Sequence, residues 1–62
     1  MHTDEGYIIE FVRHGAYVKV SALDPRTLTE AVIVGSPAAG EEALTRVALR
    51  KLDYLLRKKT AR

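Results

Sequence analysis

The 62-residue chain contains no cysteine and no tryptophan, and only one phenylalanine and three tyrosines. Without cysteine it can form neither a disulfide nor a thiolate metal site, and the composition suits a reducing compartment such as the cytoplasm. Its two histidines, His2 and His14, are too few for a metal cluster, and neither has a second ligand at strand or helical spacing. His14 reads as a turn residue, because histidine enters the left-handed conformation more readily than most side chains. The four glycines never approach the spacing of a phosphate-binding loop. Ser36, in the run Val34-Gly35-Ser36-Pro37, lacks the second glycine of a nucleophile elbow and has no base to activate it. Glu41 and Glu42 are adjacent, so on a helix they diverge by about 100 degrees and do not form a catalytic carboxylate pair. No apolar run approaches the ~20 residues of a membrane span, and the opening MHTDEG has neither the basic nor the apolar region of a secretory signal. The expectation is a soluble, cytoplasmic protein that is not an enzyme and uses no cofactor, metal, membrane or small-molecule ligand.

At 47% hydrophobic and 29% charged residues, the composition is that of a folded chain and not of a disordered one. Residues 1–62 make a single small domain, of a size that buries only about 60% of its unfolded surface. With disulfides and thiolate metals excluded, oligomerisation is the remaining extra source of stability.

Two β-branched and aromatic runs, 7–13 (YIIEFVR) and 16–24 (AYVKVSALD), flank His14-Gly15, which reads as a two-residue hairpin turn. Pairing Arg13 with Ala16 places Phe11 opposite Val18, Ile9 opposite Val20 and Tyr7 opposite Ala22, which makes one face wholly apolar. On the other face the same register sets Glu10 against Lys19, Val12 against Tyr17 and Ile8 against Ser21. Asp24-Pro25-Arg26-Thr27 has the residues of a type I turn, and residues 29–35 (TEAVIVG) resume the strand pattern. A four-residue loop, 25–28, sets Ala22 opposite Ala31 and Val20 opposite Ile33. A three-residue loop would exchange the faces of the third strand.

The small, breaker-rich stretch Ser36-Pro37-Ala38-Ala39-Gly40 leads into helical periodicity over 41–59. Gly40 ahead of two acids suits a helix start, and Ser36-Pro37 competes one turn earlier. Leu44, Val47, Ala48, Leu52 and Leu55, widened by Leu49 and Leu56, form one helical stripe, while Arg46, Arg50, Asp53 and Arg57 gather opposite. An apolar sheet face and an apolar helix stripe together predict an α+β fold: a three-stranded antiparallel meander followed by one C-terminal helix (β-β-β-α), in two layers. Only the first five or so residues and the tail after Lys59 read as frayed.

Two surfaces stand out. The sheet face away from the helix carries Ile8, Val12, Tyr17, Leu23, Val32 and Val34, more apolar side chains than scatter explains, and points to a self-association face and a homodimer, or to another protein partner. From Arg46 onward there are seven basic residues against one acid, a balance of +6, whereas residues 1–45 balance at −4. Arg46, Arg50, Arg57 and Lys58 could therefore contact an anionic partner such as RNA or DNA. Three observations weigh toward a solvated face instead. Basic residues in the last turn suit the helix dipole, few aromatics stand ready to stack bases, and Glu41 and Glu42 occupy the helix start where double-stranded RNA-binding domains of similar topology carry lysines.

The run EFVRHGAYVKVSALDPRTLTEAVIVG, followed by EALTRVALRKLDYLLRK, resembles a family of short, uncharacterised bacterial proteins with three strands and a basic C-terminal helix. Ala22-Leu23-Asp24-Pro25, Ile33-Val34-Gly35 and Arg50-Lys51-Leu52 carry the resemblance, which covers residues 5–59. It implies the fold already read from the pattern and no activity, ligand or catalytic residue. Members similar to it tend to have glycine where this chain has Leu28, so a left-handed backbone there would strain the leucine.

Overall fold

The computed structural model describes residues 2–4 and 6–60. Four antiparallel strands lie in chain order, β1 (His2–Asp4), β2 (Tyr7–His14), β3 (Tyr17–Asp24) and β4 (Thr29–Gly35). A 3-10 turn, η1 (Pro37–Ala39), leads into α1 (Glu41–Thr60), the one α-helix among the described residues. The β-β-β-α meander with a helix packed on one face is the architecture that the hydrophobic pattern predicts. The addition is β1, which pairs His2 with Ile9 and Asp4 with Tyr7 across β2. Residues 2–4 are therefore strand and not a frayed end. Their three-residue length and polar composition leave no strand period to read. Residues 61 and 62 of the expected frayed tail lie outside the described residues, and the helix itself continues to Thr60.

The β2–β3 hairpin differs from its expected register. Phe11 faces Val20, Ile9 faces Ala22, and His14 faces Tyr17, so the loop is Gly15-Ala16 and not His14-Gly15. Gly15 has φ 58°, while Ala16 is not among the residues of positive φ. A positive φ at the first loop position alone is the pattern of a II′ turn, whereas His14-Gly15 as a I′ turn would force it on the histidine as well. Arg13 Nε donates to Gly15 O at 2.7 Å, and the His14 and Tyr17 rings stack with centroids 5.5 Å apart, closing the hairpin. Because the pairing moves by two residues, every side chain keeps its face. What changes is the partner of each charge: Glu10 now faces Ser21, and Lys19 faces Val12.

The β3–β4 connection is the four-residue loop, with Ala22 opposite Ala31 and Val20 opposite Ile33. Asp24, buried at 2% exposure, holds it. Its carboxylate Oδ1 accepts from Arg26 N at 3.0 Å, and its carbonyl accepts from Leu28 N at 2.7 Å. Both competing helix starts are realised in sequence. Ser36 Oγ accepts from Ala38 N to cap η1, and Gly40 O accepts from Leu44 N to open α1.

Ile9, Val18, Val20, Ala22 and Ala31 of the sheet meet Leu44, Ala48 and Leu52 of the helix in the buried core, with Tyr7, Phe11, Ile33, Leu49, Leu55 and Leu56 packed around it. Gly35 allows a close approach, since a Cβ there would run into the Leu44 side chain. Val47, placed on the apolar stripe by its periodicity, is 46% exposed, while Thr45 is buried. The helix is rotated so that its contact line runs through positions 44, 45, 48 and 52, which carries Val47 to the flank.

Candidate interaction surfaces

On the side of the sheet away from α1, the registers of β2, β3 and β4 arrange the side chains in three rows. They are Ile8, Leu23 and Glu30; Glu10, Ser21 and Val32; and Val12, Lys19 and Val34. His14 and Tyr17 stand beyond the last row. All six expected apolar residues share this face, because strand side chains alternate and each lies one position from a core residue. Ile8, Val12, Leu23 and Val32 are partly buried, Tyr17 and Val34 are exposed, and the small central Ser21 is buried, with 7% exposure. The face is a mosaic: Glu10, Lys19 and Glu30 interrupt it, and each is exposed. The apolar residues of this face follow from strand alternation, whereas the expected pairing of Glu10 with Lys19 is replaced by Glu10 with Ser21 and Lys19 with Val12, because pairing depends on the turn.

The exposed side of α1 presents Arg46, Arg50, Arg57 and Lys58. Arg46 lies 4.0 Å from Glu42 and Arg57 lies 3.1 Å from Asp53, both as one-turn ion pairs. Two members of the expected basic line thus have carboxylate partners on their own helix, and only Arg50 and Lys58 lack one within 4.0 Å among the described residues. Lys51, outside the expected basic line, turns toward the sheet and donates from Nζ to Val32 O at 2.8 Å. It occupies the outward carbonyl of β4, an edge strand, as lysines that blunt sheet edges do.

Among the described residues no group of three or more His, Cys, Asp or Glu side chains could hold a metal ion. No described helix is long and apolar enough to cross a membrane. The molecule belongs to the class of small two-layer α+β domains with one helix on an antiparallel sheet. Residues 4–59 match the model of a family described as a domain of unknown function (DUF6898), and the chain belongs to that family. Neither the curated proteins nor the solved structures include a match to it.

Proposed function

We propose that this domain is a non-enzymatic interaction module of the cytoplasm, and that it works as a homodimer joined through the open face of its sheet. The observation that carries this reading is the cluster of Ile8, Val12, Tyr17, Leu23, Val32 and Val34 on a face that the single helix does not cover. Apolar groups gathered on one side of so small a domain gain most by meeting a second surface. A second copy is favoured as that surface because the face carries both charge signs, Glu10 and Glu30 against Lys19, and so can complement itself. Sedimentation equilibrium over about 10 to 500 μM tests it, a range that spans micromolar to submillimolar association. A dimer that Val34→Asp weakens supports the reading, and a monomer across the whole range overturns it.

The second reading, contact with RNA or DNA through α1, rests on the exposure of Arg50 and Lys58 beside the paired Arg46 and Arg57. Titration with duplex and single-stranded nucleic acid at about 50 and 200 mM salt separates the two, because phosphate contacts weaken steeply as salt rises. No binding at the lower salt removes this reading.

A further inference from the structure

We infer that two copies pack their open faces crosswise, about a two-fold axis running along the diagonal Val12–Ser21–Glu30, so that Glu10 of each meets Lys19 of the partner subunit. The inference rests on the self-association proposed above and adds the arrangement.

Packed sheets adopt two relative orientations, nearly aligned or nearly orthogonal. A face-to-face homodimer with two-fold symmetry has its axis in the plane of the interface, so that each residue touches the image of another. With the axis passing through the small central Ser21, the three rows on β2, β3 and β4 then allow four arrangements, which can be compared residue by residue. With the axis along β3, Lys19 falls on Lys19 and Ile8 on Glu30. With the axis across the strands, Glu10 falls on Glu10 and Lys19 on Leu23. Crossed about the Ile8–Ser21–Val34 diagonal, Glu10 falls on Leu23, Lys19 on Val32 and Val12 on Glu30, so every charge is pressed against an apolar side chain. Crossed about the Val12–Ser21–Glu30 diagonal, Glu10 falls on Lys19 twice, Leu23 on Val32 twice, Ile8 on Val34 twice, and Val12 on Val12.

Only the last arrangement matches charge with opposite charge and apolar with apolar. Strands are about 4.8 Å apart and same-face residues about 6.8 Å apart along a strand, so crossing leaves an offset of about 2 Å between Glu10 and Lys19, within reach of two such long side chains. Ser21, the smallest residue of the nine and the one at the centre, lets the two faces approach where the axis passes. The remaining juxtaposition, Glu30 against Glu30 of the partner subunit, lies at a corner on the edge strand where solvent screens it. The ion pairs select the arrangement and the apolar contacts drive it, because a charge left against an apolar group in the alternatives would lose its hydration without compensation.

The test is charge reversal followed by mixing. Glu10→Lys and Lys19→Glu should each weaken self-association by about tenfold or more, since each turns both ion pairs into like-charge contacts. An equimolar mixture of the two variants should recover a heterodimer of near wild-type affinity, and the double variant Glu10→Lys/Lys19→Glu should recover the homodimer. As the chain has no cysteine, Val12→Cys introduces a unique thiol on the axis, and a short bismaleimide should join two such chains while leaving Val34→Cys chains unjoined. A wild-type dimer indifferent to Glu10→Lys, or a failure of the mixture to recover, overturns this arrangement and leaves self-association standing. A wild-type monomer at all concentrations overturns both.

Discussion

Leu28 is the residue whose backbone and side chain disagree. It adopts φ 60° with its side chain 76% exposed, so it accepts the left-handed conformation and gains almost no burial in return. The loop imposes this geometry, because Leu28 N must turn back to donate to Asp24 O at the end of the four-residue connection. A non-glycine residue there costs on the order of 1 kcal/mol. Leu28→Gly should therefore raise stability by about 0.5–1 kcal/mol, part of the relief being offset by the greater freedom of glycine in the unfolded chain. Urea unfolding checks this, and an unchanged or lower midpoint would show that the position is not strained. Gly35 is the opposite case, a residue needed for its missing side chain. A methyl group there would run into Leu44, and Gly35→Ala should cost about 1–3 kcal/mol as an overpacking substitution.

Within the elements, the helix is held by one line of side chains. Leu52 is fully buried at the centre of the helix–sheet layer, and Leu52→Ala should cost about 2–5 kcal/mol. A domain this small has roughly 3–9 kcal/mol in total, so circular dichroism should show most of the variant unfolded or close to it at 25 °C. Val47→Ala, on the exposed flank of the same helix, should stay within about 0.5 kcal/mol of wild type. The pair discriminates the rotation of α1, since a helix turned onto Val47 would reverse the ranking. Lys51 joins the helix to the edge of β4 through Val32 O. Lys51→Ala should change stability by less than about 1 kcal/mol, because one exposed hydrogen bond is lost, yet light scattering should detect faster aggregation through the uncovered edge.

For the whole molecule, folding and association are linked if the open sheet face is where two copies meet. Only the folded chain presents that face, so dimerisation draws the equilibrium toward the folded state by mass action. The melting temperature should therefore rise with protein concentration across the range where the dimer forms, and Val34→Asp, at an exposed position of the open face, should flatten that dependence. A melting temperature independent of concentration would indicate a domain that folds and remains as a monomer.

The meander, the C-terminal helix and the division of each strand into an inward and an outward set follow from the order of residues alone. They do so because strand alternation and helical periodicity are written in consecutive residues and survive a register shift of two. Membership of the six apolar residues on the open face was legible for the same reason. Which residue faces which is set by packing in three dimensions. Whether the hairpin turned at His14-Gly15 or Gly15-Ala16 depended on which residue would take the positive φ and on the Arg13 and Tyr17 contacts around the loop, and that choice separated Glu10 from Lys19 within the chain. The rotation of α1, which exposes Val47 and buries Thr45, goes with the close seat of Leu44 on Gly35. The strand at 2–4 formed because β2 offered it an edge, a partner no local pattern could announce. Side-chain alternation is a property of the chain, whereas register, rotation and edge pairing are settled by packing between segments distant along it.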